Sequence, residues 1–224
     1  GHLYTSENVI ALAVVEHFKG LYSDDGQVNT HRMVGNINSC IGDYDNQFLV
    51  TTPLKEEIRI ALLSLNVESA PVLDGFTNNF LVSYWDVLQD DLTQAIKDFF
   101  THYYLPYEMN SCFISLLPKK GNALDIKDFR PVALGNNIPK IISKILMNRQ
   151  GRMVGDLITA NQFGFVPGRN IQECLFTASE SVNLMRKKAK EGNVSLKIDI
   201  SKAFDTLKWI FLLEVLKRYG FSNE

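Results

Sequence analysis

The feature that most constrains the fold is a strict alternation of apolar and polar side chains over residues 194–201. The apolar members are Val194, Leu196, Ile198 and Ile200, and the polar members are Ser195, Lys197, Asp199 and Ser201. Successive side chains of a strand point to opposite faces, so this pattern predicts a β-strand with one apolar and one polar face. The residues from Ala203 to Tyr219 are predicted to continue as helix. The fold must therefore accommodate a strand that leads directly into helical structure.

The rest of the chain is predicted to be mostly helical. Apolar periodicity predicts helices over residues 7–21, 52–65, 77–103, 138–152 and 171–190, the last with an inward-facing stripe of Ile171, Cys174, Leu175, Ala178, Val182 and Met185. Thr52 and Pro53 are the expected cap and first helical residue of the second helix, and Glu56 and Glu57 suit its positive end. Residues 23–50 and 161–169 are predicted to be mostly irregular because glycines interrupt them.

A β-hairpin is predicted in the middle of the chain. Residues 112–117 and 129–134 are short apolar runs of strand length, and a turn with Pro118, Lys119, Lys120 and Gly121 follows the first. A hairpin, a later strand and several helices together give the fold class α+β.

The charge of the chain is unevenly distributed. The net charge is -2, but residues 1–100 hold 5 Lys and Arg against 14 Asp and Glu, and residues 101–224 hold 18 against 11. Between Lys119 and Arg152 there are 8 basic and 2 acidic residues. Such asymmetry favours contact of the second half with a polyanion. Two solvated faces of opposite charge are the alternative explanation.

Several classes of protein are disfavoured by what the sequence lacks. The three cysteines are far apart and odd in number, and the four histidines show no ligand spacing. A zinc site or disulfide framework is therefore not expected, and a reducing intracellular compartment, cytoplasm or nucleus, is the expected location. No apolar run reaches about 18 residues, the length needed to span a membrane. The first residue is Gly rather than Met, so we expect a fragment or a processed product.

The segment 197–205, KIDISKAFD, places a carboxylate at the end of a predicted strand, directly before a helix. Oxygen ligands of this kind suit Mg²⁺. From spacing alone, the favoured explanation is that Asp199 is a solvated strand residue, with Asp205 serving the start of the helix.

Four segments in order resemble the reverse transcriptases of non-LTR (LINE-type) retrotransposons, especially those of plants. They are APVLDGF at 70–76, FRPVAL at 129–134 with KIISKILMNR at 140–149, NQFGFVPGR at 161–169, and KIDISKAFD at 197–205. The resemblance implies RNA-directed DNA polymerase activity, a nucleotidyltransferase that adds deoxynucleotides to a primer 3′-hydroxyl. It also implies the fingers and partial palm of a right-hand polymerase, with residues 1–105 as a helical N-terminal extension, 106–192 as fingers and 193–224 as the first part of the palm.

The same resemblance implies roles for individual residues near the reacting groups. Asp199 and the backbone carbonyl of Ile200 match metal ligands, and two Mg²⁺ or Mn²⁺ ions serve phosphoryl transfer in a complete enzyme. Phe204 matches the bulky residue that excludes a ribose 2′-hydroxyl and so favours deoxynucleotides. Lys119 and Arg130 match residues that bind the triphosphate, although Lys119 has an ordinary turn lysine as its alternative.

A second set of residues matches a segment that lies against the template strand. This set comprises Gly164, Phe165, Pro167, Gly168 and Arg169. Arg169 would pair with a phosphate or stack on a base, and its alternative role is to cap the loop. One departure from the family pattern is that Val72 and Leu73 replace a Gly-Pro pair, which removes a turn preference. The implied partners are an RNA template, a DNA primer and a deoxynucleoside triphosphate, with no membrane.

The remaining two metal-binding carboxylates of the family lie in a Tyr/Phe-Ala-Asp-Asp hairpin downstream of the first palm motif. The letters YSDD at 22–25 fit it partly but lie upstream, so we interpret them as an acidic helix end and turn. We therefore expect this chain to be inactive alone. A retroelement remnant that binds nucleic acid without catalysis is the alternative.

Overall fold

The computed structural model describes residues 6–23, 34–66, 74–187, 192–200 and 202–223. Within these ranges the chain is mostly helical, with one two-stranded antiparallel sheet. It divides into two compact units. The first, here called the hairpin unit, comprises Gly42–Arg152 with Ser222–Glu224. The second, here called the terminal unit, comprises Gly1–Ile41 and Met153–Phe221.

The regular elements of the described residues are as follows. The helices are α1 (Glu7–Tyr22), α2 (Asp43–Val50), α3 (Lys55–Leu63), α4 (Asn78–Ser83), α5 (Trp85–His102), α6 (Tyr107–Asn110), α7 (Asn137–Gln150), α8 (Val154–Leu157), α9 (Ile171–Met185) and α10 (Trp209–Tyr219). The strands are β1 (Cys112–Pro118) and β2 (Phe129–Gly135), and a 3₁₀ turn, Ile126–Asp128, precedes β2. Helices α2 to α7 and the hairpin belong to the hairpin unit, and α1 and α8 to α10 belong to the terminal unit.

The core of the hairpin unit combines helices that precede the hairpin in the sequence with helix α7, which follows it. The buried apolar side chains are Ile58, Ala61, Leu62, Leu81, Leu92, Ile96, Phe100, Ile141, Ile142 and Ile145. The first three lie on α3 and the last three on α7, with a spacing of three or four residues that aligns them on one helix face. Burial of these faces against α5 stabilises the unit. The predicted division at residue 105 stays a prediction about the family's domains.

Arg149 links α7 to the segment around α3 within the same core. Its guanidinium donates to both carboxylate oxygens of Glu57, at 2.7 and 2.8 Å. It also donates to the backbone carbonyls of Leu49 and Thr51, at 2.7 and 2.6 Å. Only 4% of the Arg149 side chain is exposed. A buried charge requires such pairing, so Arg149 is a structural residue of this unit.

Two asparagines at the start of α7 hold segments that flank the hairpin. The amide of Asn136 donates to the carbonyls of Glu108 and Met109, both at 3.0 Å. The amide of Asn137 donates to the carbonyl of Phe76 at 3.1 Å. Both side chains are buried, and these bonds therefore fix α6 and the segment before α4 against the end of β2.

In the terminal unit, the segment before residue 42 contacts the end of α10. The backbone N–H groups of Cys40 and Ile41 donate to the carbonyl of Tyr219, at 3.0 and 2.9 Å. Gly220 ends α10 with φ +100°, a left-handed conformation that favours glycine. A Cβ atom at Gly220 would collide with the carbonyl of Ile41 and the hydroxyl of Ser39. The close approach of these two segments therefore requires glycine at this position.

Several sequence predictions are confirmed by these elements. The helices predicted at 7–21 and 138–152 are α1 and α7, and the predicted hairpin is β1 with β2. The buried side of α7 is formed by Ile141, Ile142 and Ile145, as the pattern indicated. The aspartates 24 and 25 and the residues 70–73 lie outside the described residues.

The predicted strand at 194–201 is wrong for the residues that the structure describes. Residues 193–200 have no regular secondary structure, and Val194, Leu196, Ile198 and Ile200 are between 69% and 86% exposed. A strand needs a partner for its backbone N–H and C=O groups. The two strands of the described residues pair only with each other, so this segment has no described strand beside it.

The helix predicted after that strand starts later than expected. Residues 202–205 form turns, and α10 begins at Trp209. Helix α9 begins at Ile171 as predicted but ends at Met185, before the predicted end at residue 190, and the stripe expected to face a core is exposed along its length. Amphipathic spacing specifies which residues share a face and does not supply the surface that buries them.

Three further boundaries differ from the predictions. The stretch 77–103 is two helices, α4 and α5, which meet at Tyr84. Leu54 is the N-cap of α3, so Thr52 and Pro53 precede the helix, although Glu56 and Glu57 do lie in its first turn. Part of the stretch predicted to be irregular forms α2. None of the helices in the described ranges is long and apolar enough to cross a membrane.

Candidate functional site

Lys119 lies directly after β1, where the hairpin ladder ends. Its backbone N–H donates to the carbonyl of Asp128 at 2.7 Å, which extends the pairing one residue past the strand. Its Nζ donates to the carbonyl of Lys127, also at 2.7 Å. In this conformation the ammonium group binds the hairpin's own turn. Contact with a triphosphate would require that hydrogen bond to be exchanged.

The neighbouring Lys120 forms an ion pair within the same turn. Its Nζ lies 2.9 Å from Oδ1 of Asp128. The hydrogen bond from the Lys120 side chain lowers the pKa of Asp128 below its ordinary value of 3.8, and backbone hydrogen bonds add to this effect. This pair therefore holds the carboxylate ionised and closes the turn between the two strands.

Arg130 lies in β2, opposite Leu117 in the antiparallel register. Directly opposed residues of an antiparallel pair share a face, and alternation places Lys119 on the side of Leu117. The register therefore assigns the two predicted triphosphate-binding residues to one face at the turn end of the hairpin. Arg130 is exposed, as a residue that meets a soluble substrate must be.

The predicted template-binding residues form a loop closed by Arg169. The Arg169 guanidinium donates to the carbonyls of Thr159 and Gln162 through Nη1, the latter at 2.6 Å. It donates to the carbonyl of Ile158 through Nη2 at 2.9 Å. This geometry matches the loop-capping alternative for Arg169. The phosphate-pairing role stays a prediction.

An exposed aromatic side chain projects from this loop. Phe165 is 99% exposed and has φ +63°, a left-handed conformation that non-glycine residues adopt infrequently. Gly168 also has positive φ, at +79°. The loop residues 163–171 surround an open cavity of about 700 Å³. Gly164 and Pro167 lie on its wall.

The predicted catalytic residues lie in the exposed segment that follows α9. Asp199 is exposed in irregular backbone, and Ile200 beside it is 69% exposed. Phe204 is 88% exposed in the turn before α10. In that turn the carboxylate of Asp205 accepts a hydrogen bond from the hydroxyl of Tyr22 at 3.3 Å. Asp205 therefore contacts α1, whereas the carboxylate of Asp199 has no hydrogen bond or ion pair with another residue of the described ranges.

The described residues do not by themselves fit a two-ion site. Mg²⁺ takes near-octahedral oxygen coordination with one or two carboxylates. Within the described ranges, no three His, Cys, Asp or Glu side chains lie close enough together to hold a metal ion. Asp199 is thus one candidate carboxylate ligand rather than part of an assembled centre.

The structure divides the predicted site residues between the two units. Lys119 and Arg130 belong to the hairpin unit, whereas Asp199, Ile200, Phe204 and the template-binding set belong to the terminal unit. Sequence reasoning did not anticipate the role of Arg149. Its signal was present, because it lies four residues after Ile145 and eight after Ile141, on the apolar stripe of α7.

Comparison with known proteins shows which family the C-terminal part of the chain resembles. Residues 117–224 match the family model for reverse transcriptase (RNA-dependent DNA polymerase). This range contains every predicted site residue, from Lys119 to Phe204. The C-terminal part of the chain is therefore similar to reverse transcriptases.

Two similar proteins carry the names of mobile elements. The chain is 32% identical over 174 residues to the "Transposon TX1 uncharacterized 149 kDa protein" of Xenopus laevis, covering 77% of this chain and 13% of that protein. It is 23% identical over 207 residues to the "Retrovirus-related Pol polyprotein from type-1 retrotransposable element R1" of Bradysia coprophila, covering 87% of this chain and 20% of that protein. The chain thus spans at most a fifth of the length of these relatives.

Proposed function

We propose that this chain is the fingers and first palm segment of a non-LTR retrotransposon reverse transcriptase. In the complete enzyme it would take part in RNA-directed addition of deoxynucleotides to a primer 3′-hydroxyl. The observation that supports this most directly is the reverse transcriptase match over residues 117–224, a range that contains three of the four segments on which the resemblance rests. The two relatives named above, both from mobile elements, support the retrotransposon origin.

The hairpin is proposed to contact the triphosphate through Lys119 and Arg130. Both lie at its turn end, and Arg130 is exposed. A guanidinium suits phosphate because it donates two parallel hydrogen bonds, while the ammonium of Lys119 supplies a point charge. The surplus of basic residues between Lys119 and Arg152 favours polyanion binding by the same unit.

The residues after α9 are proposed to serve the reacting end of the primer. Asp199 and the carbonyl of Ile200 would contribute ligands to divalent cations, the cofactors that this family implies. Phe204 would lie against the sugar and exclude a 2′-hydroxyl. Because the described residues supply only one such carboxylate, we propose that this chain alone does not polymerise DNA.

Primer extension tests this proposal directly. Purified chain, an RNA template, a DNA primer, deoxynucleotides and Mg²⁺ or Mn²⁺ are expected to give no extension. Extension that disappears in Asp199→Ala would contradict the proposed inactivity and would establish a complete active site. A longer protein that continues beyond residue 224 is expected to extend the primer and to lose that activity in the same variant.

A second candidate function is nucleic-acid binding without catalysis, and the basic segment 119–152 favours it. A shift assay with single-stranded RNA at several salt concentrations separates binding from inertness, since phosphate contacts give a log affinity that falls linearly with log salt. As part of the same proposal we place the protein in the cytoplasm or nucleus. Its three cysteines are free and exposed, which suits a reducing compartment.

A further inference from the structure

Arg169 uses most of its hydrogen-bonding capacity inside its own loop. A guanidinium has five N–H donors. Two hydrogen bonds leave from Nη1, to the carbonyls of Thr159 and Gln162, and one leaves from Nη2, to the carbonyl of Ile158. These acceptors lie seven to eleven residues before Arg169 in the sequence. One side chain thus ties the beginning of the loop to its end.

Other contacts make the loop a self-supporting structure. The backbone N–H of Arg169 donates to the carbonyl of Val166 at 3.2 Å, which forms a tight turn. The side-chain amide of Gln162 donates to the carbonyl of Gly164, also at 3.2 Å. Val166 is buried, with 8% of its surface exposed. The loop therefore has a small anchor of its own beneath the turn.

Phe165 has the opposite environment from its neighbour Val166. It is fully exposed and has the left-handed φ noted above. A non-glycine residue in that region is strained and persists only where its surroundings hold it. The hydrogen bonds of Arg169 join residues 158–162 to the end of the segment that carries Phe165.

We infer that Arg169 is a positioning residue which holds this loop closed, and that Phe165 is the residue it presents to a base of single-stranded RNA. This inference rests on the proposed function and refines it, because it replaces phosphate pairing by Arg169 with stacking by Phe165. An aromatic face stacks on any base, so the contact is tolerant of sequence. Preorganisation of the loop reduces the entropy lost when the base binds.

The two roles of Arg169 differ in two measurable ways. A phosphate ligand contributes to the salt dependence of RNA binding, and its removal reduces the slope of log affinity against log salt by about 0.7 for a single strand. A positioning residue leaves that slope unchanged, and its removal exposes the loop amides to solvent exchange. Arg169→Lys retains the charge but has one donor nitrogen in place of the planar fork through which Nη1 and Nη2 donate, so it separates charge from geometry.

The experiment combines amide hydrogen exchange of the full chain with binding of a fluorescent single-stranded oligoribonucleotide at several salt concentrations. Arg169→Lys and Arg169→Gln are both expected to raise exchange over residues 158–170 and to weaken binding about tenfold, with the salt slope of the unchanged protein. Arg186→Gln is the matched control, because it removes one charge from the same unit without touching the loop. It is expected to leave exchange over 158–170 unchanged.

Two results would overturn the inference. One is unchanged exchange over 158–170 in both Arg169 variants. The other is a reduced salt slope in Arg169→Gln together with normal binding by Arg169→Lys, which would identify Arg169 as a phosphate ligand. Exchange is measured without RNA, so it decides the positioning role even if the unchanged protein binds no RNA and the proposed function fails.

Phe165 variants test the second half of the inference without disturbing the loop. Phe165→Ala is expected to keep normal exchange over 158–170 and to lose binding about tenfold, whereas Phe165→Tyr retains both. If the unchanged protein binds RNA and Phe165→Ala binds it equally well, the Phe165 side chain does not stack on a base. This outcome is informative even if the Arg169 variants fail to fold.

Discussion

At the scale of single residues, Arg149 is the most deeply buried charged side chain of the described ranges. Besides the carboxylate of Glu57 and two carbonyls, its guanidinium carbon lies 5.1 Å from the ring centroid of Phe100. Desolvation of the charge is offset by these contacts and depends on all of them. Arg149 lies in the basic second half of the sequence and its partners lie in the acidic first half. Folding of the hairpin unit therefore depends on residues from both halves.

We expect Arg149→Met to lower the free energy of unfolding of the hairpin unit by about 2–4 kcal/mol, because it leaves Glu57 and two carbonyls unpaired. Urea unfolding monitored by exchange at α7 is the measurement. Arg59→Met is the matched control, since the Arg59–Glu56 pair is an exposed helix pair in the same unit, and it should cost less than about 1 kcal/mol. Equal losses in the two variants would contradict the structural role of Arg149.

The ion pair between Lys120 and Asp128 predicts a pH dependence at the hairpin turn. The pKa of Asp128 is lowered in the folded chain, so its contribution to stability is present above the unfolded value of 3.8 and is lost as pH falls through the lower folded value. Amide hydrogen exchange in the turn of the unchanged protein is expected to rise as the pH falls. The Asp128→Asn variant should not show this pH dependence. Lys120→Gln should reduce the difference in turn exchange between acid and neutral pH. If this difference keeps its size in the variant, a group other than the Lys120–Asp128 pair is its source.

At the scale of elements, the confirmed predictions share one property. The hairpin contains both members of its hydrogen-bonded pair, and α7 has an apolar stripe at a regular spacing, so the information for each lies within a short stretch. The failures depend on distant partners. The alternating segment 194–200 has the pattern of a strand but no described strand beside it, and helix α9 has an apolar stripe but no described covering surface.

The candidate site follows the same division. Sequence motifs indicated which residues to consider, and their roles as ligands of nucleotide, template or metal remain predictions. The motif alone could not decide between loop capping and phosphate pairing for Arg169. The acceptors that close the loop are backbone carbonyls, which every residue possesses.

The contact between the end of α10 and the segment before residue 42 gives a prediction at this scale. Gly220→Ala is expected to destabilise the terminal unit by about 2–3 kcal/mol, because it adds a collision with Ile41 to the strain of a positive φ. Gly75→Ala is the control, since Gly75 has φ +78° with open space around it, and it should cost about 1 kcal/mol. Thermal unfolding measures both, and a Gly220→Ala loss no greater than the control would contradict the close approach.

At the scale of the whole molecule, the hairpin unit crosses the boundary that the family's domains suggest. Ile58 and Leu62 on α3 share a core with Ile141 and Ile145 on α7, although a predicted boundary lies between them at residue 105. Deletion of residues 1–105 is therefore expected to abolish cooperative unfolding of α7, whereas deletion of residues 1–41 should preserve it. Exchange protection of α7 is the measurement, and protection retained in the longer deletion would contradict a shared core.

The exposed alternating segment after α9 has a consequence for solubility. Its apolar residues have high β-propensity and lack a described partner, which is the situation in which strands of separate molecules pair and aggregate. Lys197 and Asp199 interrupt the apolar side chains with opposite charges and act as gatekeepers against such pairing. The carboxylate proposed for catalysis would then also keep separate copies of the chain apart. Asp199→Ala should scatter light at a lower protein concentration than Asp199→Glu, which preserves the charge.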